Sequence, residues 1–250
     1  VQPEPEKAYY LQSKITTVTS VEDDYNININ LYYSYNDKNQ LIGITGNNPS
    51  SSNPVNIVLS YDEQDRLVHV QNSEISSWTY TYNDNNQLDK QLETMVNADG
   101  STRERYYKSI YNSAGDLAET RLYLMRNNVE EQGPSYKYTY TDGQVSRLEV
   151  LQPTGEMYKD YTFSYDDKKA PLAGLPLYAV PRFVVSDFPG QHLMTQNFST
   201  FTLLNEKGQR TNMSCFAATY SYNEAGYPTE STRTYDNGYV EHTVYTYITK

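Results

Sequence analysis

One cysteine, three histidines and one tryptophan are all that 250 residues supply of three reactive or ligand-forming side chains. A lone Cys215 cannot form an intrachain disulfide, and the zinc patterns built from several cysteines are excluded. Within Asn212-Met213-Ser214-Cys215-Phe216-Ala217 the thiol reads as a small strand residue. His69, His192 and His242 are far apart and none has His-Glu-x-x-His spacing, so the sequence supports no metal site and no cofactor. A Gly-x-Ser-x-Gly elbow, a phosphate-binding loop and a dinucleotide fingerprint are also missing. Basic residues are the scarcer charge, 20 Lys and Arg against 31 Asp and Glu, giving a net charge of -11. That balance argues against nucleic acid and anionic membrane surfaces as partners. The most apolar segment, Leu177 to Val185, is broken by Pro181 and Arg182, so no transmembrane helix is expected. No segment of ten or more residues keeps a 3.6-residue period either, which removes helices of usual length from the reading.

What the chain has in excess is tyrosine, 27 residues against 6 Phe, at a mean hydropathy of -0.77. A buried Tyr brings an apolar ring and a hydroxyl that needs a partner, so the interior is expected to be aromatic and hydrogen-bonded.

The tyrosines recur in a unit best seen at Tyr80-Thr81-Tyr82-Asn83-Asp84-Asn85-Asn86-Gln87-Leu88. Two aromatics at i and i+2 share one strand face, a polar turn follows, and an apolar residue starts the strand back. Sister turns are 36–39, 62–65, 112–115, 205–208 and 223–226, and one rule covers all six. Position one is Asn or Asp, able to cap a type I turn, and position four is Gly, Asn or Asp, which tolerate a left-handed backbone. After Tyr136, Tyr138 and Tyr140 the turn shortens to Thr141-Asp142-Gly143, and Asn237-Gly238 carries a type I′ signal. Asp166-Asp167-Lys168-Lys169 breaks the rule.

A second set of turns lies between these, near residues 46–54, 71–73, 97–100, 126–133 and 152–155. Tyr35, Tyr61, Tyr82, Tyr111, Tyr140 and Tyr165 recur at intervals of roughly 21 to 29 residues, each room for two strands and two turns. The expected fold is all-β, an antiparallel up-and-down meander of roughly fifteen strands curled into a soluble barrel or strongly wrapped sheet, with two stacked sheets as the alternative. Residues 1–8, with Pro3-Glu4-Pro5-Glu6, read as an N-terminal linker and 9–250 as a single domain. A start at Val1 suits removal of an export or lipoprotein signal, which places a lipid anchor upstream of residue 1. Residues 166–190 hold Pro171, Pro176, Pro181 and Pro189 and read as a non-repeat connection that covers a sheet end or contacts a ligand.

Tyr61-Asp62-Glu63-Gln64-Asp65-Arg66-Leu67 resembles the tyrosine-aspartate repeats of Rhs-type shell proteins, although most other copies here carry Asn for Asp and lack the Arg. Tyr33-Ser34-Tyr35-Asn36 and Tyr165-Asp166-Asp167-Lys168-Lys169 with Pro171 more nearly resemble Bacteroides-type exported lipoproteins of unknown function with a porin-like β-barrel. That resemblance implies a barrel and export to the periplasm, the outer membrane or the cell surface. It supplies no catalytic residues. A bilayer-spanning barrel needs aliphatic residues on one face of nearly every strand, whereas Ser77-Trp78-Thr79-Tyr80-Thr81-Tyr82 has one aromatic and one hydroxyl-bearing face, so no bilayer insertion is expected.

The function expected is non-enzymatic, an exported cell-envelope binding or structural module, with carbohydrate or another envelope protein as partner. The alternatives are a hydrolase-type enzyme at the barrel mouth and a protein-binding scaffold or shell fragment. No catalytic residue is nominated. Trp78, Phe188 and His192 are the candidate ligand-binding residues, the first for its aromatic face and the other two for their place in the exceptional connection.

Overall fold

From Tyr25 to Tyr35 every second residue is Tyr, Ile or Leu, and those between are Asn26, Asn28, Asn30, Tyr32 and Ser34. Such alternation puts all apolar groups on one side of a strand, and a sheet carrying it along many strands must curl to hide that side. The computed structural model, which describes residues 8–20, 25–47, 54–72, 76–126, 129–173, 195–211 and 215–250, shows this as a closed antiparallel barrel.

Sixteen strands form it: β1 (Tyr9–Ser20), β2 (Tyr25–Tyr35), β3 (Leu41–Gly46), β4 (Val55–Tyr61), β5 (Leu67–Asn72), β6 (Ser76–Tyr82), β7 (Leu88–Val96) and β8 (Thr102–Tyr111). They continue with β9 (Leu117–Arg126), β10 (Val129–Thr141), β11 (Gln144–Leu151), β12 (Met157–Lys169), β13 (Gln196–Asn205), β14 (Phe216–Tyr222), β15 (Pro228–Tyr235) and β16 (Val240–Thr249). Each strand pairs with its neighbours in sequence, and β1 closes the ring against β16 from Tyr9 opposite Thr249 to Thr19 opposite Val240. The meander expected from the sequence is therefore present, as a closed barrel rather than two stacked sheets.

The repeat turns have the backbone that their residue types demand. In each, the first residue's side-chain oxygen accepts from two backbone N–H groups: Asn36 from Lys38 and Gln40, Asp62 from Gln64 and Arg66, Asn83 from Asn85 and Gln87. Asn112, Asn205 and Asn223 do the same. The fourth residues, Asn39, Asp65, Asn86, Gly115, Gly208 and Gly226, all have positive φ. Five of these turns, after β2, β4, β6, β8 and β14, lie at one end of the barrel. The Asn205 turn follows β13 and belongs to the opposite end, because turns after odd-numbered strands of an antiparallel meander lie there.

The type I′ signal belongs elsewhere than at Asn237-Gly238. There only Gly238 has positive φ, and Tyr235 N–H donates to the Tyr239 carbonyl as in the capped turns. Asp142 and Gly143 both have positive φ, at 51° and 76°, so the shortened turn after β10 is the I′ hairpin. A two-residue Asp-Gly loop leaves no room for the longer capped turn, whereas the one after Tyr235 does. β12 also runs through the aberrant Asp166–Lys169 stretch, so the connection leaves the sheet at Ala170.

Register and burial place the apolar groups inside. Leu11, Leu31, Leu41, Ile44, Ile57, Leu67, Val70, Trp78 and Tyr80 form one interior cluster. Val145, Leu148, Tyr161, Phe163, Phe198, Phe201 and Phe216 form a second one, with Cys215 beside them. Between the two, β7 and β8 face inward with Gln91, Glu93 and Arg105, the last two joined by a charge-assisted hydrogen bond. The outer positions are mostly Asn, Ser, Thr and charged residues. On β11 and β12, for example, Arg147 holds Asp160 at 2.8 Å and Glu149 at 3.2 Å.

Candidate functional site

The regular part of the barrel shows, by contrast, where it becomes irregular. Tyr35, Tyr61, Tyr82 and Tyr111 end β2, β4, β6 and β8 at one rim, and Tyr140, Tyr165 and Tyr247 lie near the same ends of β10, β12 and β16. Each donates its hydroxyl to a backbone carbonyl on the preceding strand: Leu11, Leu41, Leu67, Leu88, Leu117, Val145 and Pro228, at 2.5 to 2.9 Å. Every acceptor stands immediately before an extra, unpaired residue, Gln12, Ile42, Val68, Asp89, Ala118, Ser146 and Thr229, where the register shifts by one. A bulge takes a carbonyl out of the ladder, and the tyrosine satisfies it. Burial pushes the phenols of Tyr35, Tyr111, Tyr165 and Tyr247 up, and those of Tyr61 and Tyr140 to about 12.

The belt changes at Tyr222, the last residue of β14. Its hydroxyl bonds the carboxylate of Asp166 on β12, bypassing β13. Asp166 also accepts from Lys168 N–H at 2.9 Å and from the backbone and side-chain amides of Asn197, a residue only 3% exposed. The Asn197 amide further donates to the Lys169 carbonyl at 3.0 Å. Asp-Asp-Lys-Lys thus departs from the turn rule because it is a clamp, holding the point where the chain leaves the sheet. Above it a surface cleft of about 340 Å³ lies between Asp167, Lys168, Lys169 and the Asn223–Gly226 turn. Tyr227 flanks it, stacked on Tyr9 at 5.5 Å with the Lys169 ammonium 5.0 Å over its ring.

Below the clamp the chain turns inward. Leu172 packs against the interior cluster of β1 to β6, and Ala170 to Leu172 close over a cavity of about 50 Å³. Lys14, Tyr220, Arg233 and Tyr245 line it from the strands. Arg233 pairs with Glu241 at 3.3 Å, the two side chains being 7% and 14% exposed, and lies 4.9 Å over the Phe216 ring. Burial raises the Tyr220 phenol.

Of the residues nominated from sequence, Trp78 is 6% exposed and sits inside the barrel opposite Val70 and Glu93, so packing accounts for its ring. Phe188 and His192 lie outside the described residues. His69 and His242 occupy strand positions on β5 and β16. Among the described residues no group of three His, Cys, Asp or Glu side chains is placed to hold a metal ion. Lys14, Asn197, Tyr220 and Arg233 were not singled out. The available signal was Arg233, two residues from Tyr235 and so on its inward face, a charge where the pattern calls for an apolar group.

No family model and no curated protein matches the chain. Among solved structures it is similar to a porin-like protein from Bacteroides uniformis, with a TM-score of 0.60 at 15% identity over 95% of this chain and 98% of the other. It is equally similar to a porin-like protein from Bacteroides vulgatus, with a TM-score of 0.60 at 9% identity over 96% and 99% of the two chains. What the chain has in common with these porin-like proteins over nearly its whole length is the barrel fold.

Proposed function

We propose that this barrel is a water-soluble, non-catalytic binding or structural module of the bacterial cell envelope, and that the name of its fold misleads about its surroundings. The observation that carries this is the direction of its side chains. A lipid-spanning barrel turns an apolar band outward and a polar lumen inward. This chain does the reverse, packing Leu, Ile, Phe and Tyr inside and showing Thr, Asn and ion pairs such as Arg147 with Asp160 outside. The Bacteroides origin of the porin-like structures supports export, and the tyrosine belt supports reading the chain as a degenerate tyrosine-aspartate repeat.

The rim cleft beside Tyr222 is the binding site in this reading, with glycans the favoured ligands, because Asp167, Lys168, Lys169 and Asn223 at its wall offer hydrogen-bond donors and acceptors for sugar hydroxyls. The test is cell fractionation of the native host together with thermal unfolding against pools of envelope glycans. The chain should be recovered with the envelope, leave it as a detergent-independent soluble barrel once any anchor is cut, and melt higher with one glycan class. Recovery of the cleaved barrel only in detergent would overturn the soluble reading, and unchanged melting across every pool would remove the glycan subclass.

A further inference from the structure

Lys14 is a charge placed where the fold asks for an apolar side chain. Its strand position lies opposite Leu31 on one side and Tyr245 on the other, both interior residues. It lines the cavity of about 50 Å³, and among the described residues it makes no hydrogen bond or ion pair. The acid nearest in role, Glu241, is already engaged: Arg233 holds it at 3.3 Å and the Tyr235 hydroxyl donates to it at 3.4 Å. Asp166 is likewise occupied by Tyr222, Asn197 and Lys168. Lys14 is half-buried, and an ammonium drawn toward a protein interior without a counter-charge is disfavoured. The same cavity is lined by Arg233 and Tyr220, so its wall carries two cations and a phenol.

We propose that this cavity binds a small oxyanion, a carboxylate or phosphate group, on Lys14 and Arg233, with Tyr220 as a further donor. The volume fits the head group of such a ligand and not a whole sugar, since pockets that enclose larger ligands run to several hundred Å³. The site is separate from the rim cleft and does not depend on glycan binding there. Leu172, at the start of the connection, would be its cover, so occupancy should tighten the Ala170–Leu172 segment onto the barrel.

The test compares the full chain with Lys14→Met and Lys14→Arg in inorganic phosphate, acetate and chloride at matched ionic strength. Wild type and Lys14→Arg should melt a few degrees higher in phosphate or acetate than in chloride, and Lys14→Met should lose that excess while melting in chloride at least as high as wild type. Phosphate strengthens burial of most proteins by exclusion from their surface. An equal rise in wild type and Lys14→Met is that general effect and overturns the site, as does the absence of any excess in wild type. Titration calorimetry of wild type with phosphate and with acetate gives an answer that does not depend on the variants folding: saturable binding of one or both supports the site, and no heat of binding from either removes it.

Discussion

Tyr82 ends β6 and donates its hydroxyl to the Leu67 carbonyl at 2.7 Å, while its own backbone pairs with Leu88 across the turn. Leu88 in turn offers its carbonyl to Tyr111 at 2.8 Å. Each hairpin is thereby laced to the next by a side-chain bond that only tyrosine, among the aromatic residues, has the reach and the donor to make. Removing the oxygen alone, as Tyr82→Phe, should cost about 1 kcal/mol in urea unfolding, the loss of one hydrogen bond to a half-buried carbonyl. Tyr82→Ala should cost about 3–5 kcal/mol, because the ring goes too.

The Tyr222 rung ends on a carboxylate and should be the stronger one. Tyr222→Phe is expected to lower stability by about 1.5–3 kcal/mol, against about 1 kcal/mol for Tyr82→Phe, because hydrogen bonds to charged groups are worth more. Proteolysis of Tyr222→Phe should also be faster at Lys168 and Lys169, which the clamp holds.

Alkali should unfold the barrel through its phenols. Burial pushes Tyr61 and Tyr140 from 10.0 up to about 12 and raises Tyr35, Tyr165 and Tyr247 as well. A raised folded value means that stability is whole below pH 10 and falls as pH rises from there through the folded values, since the unfolded chain ionises first. Phenolate absorbance should therefore rise in two steps, exposed tyrosines near pH 10 and the belt together with unfolding. A single step near pH 10 with the fold intact would contradict the burial of the belt.

Acid acts on a different group. The Arg66 N–H bonded to Asp62 holds that carboxyl below its usual value, and the Arg66 side chain adds to the effect. A depressed value contributes stability above about pH 4, lost as pH falls through the folded value. Asp62→Asn keeps the cap, as Asn83 does in the sister turn, but not the ion pair. Its melting temperature should fall less than that of wild type between about pH 5 and pH 2.

At the end of β3, Gly46 faces the neighbouring strand so closely that a Cβ would lie 1.9 Å from the Asn30 carbonyl oxygen. Gly46→Ala must move backbone and should destabilise by about 1–3 kcal/mol or more. Gly43→Ala meets the Ser34 hydroxyl at 2.6 Å, which can rotate away, and the Ile57 carbonyl only at an ordinary contact of 3.6 Å, so its measured cost should be clearly smaller.

Much of this was legible in the residues themselves. Asn or Asp at the first turn position and Gly, Asn or Asp at the fourth are dictated by local backbone geometry, so all six capped turns could be read without knowing what surrounds them. The alternation of Tyr25 to Tyr35 likewise fixes which side of β2 is buried, because side chains repeat every second residue. Ring closure between β1 and β16 could not be read, since it joins residues over 200 positions apart, and the choice between barrel and stacked sheets depends on that contact. The partner of each tyrosine hydroxyl was equally hidden. The sequence requires an acceptor for the phenol, but only the register shift in the neighbouring strand decides which carbonyl is left open. The same holds for Lys14, Asn197, Tyr220 and Arg233. Their residue types say that they need partners, and the folding of β13 to β16 around β1 alone puts Lys14, Tyr220 and Arg233 at one cavity and leaves Lys14 without a counter-ion among the described residues.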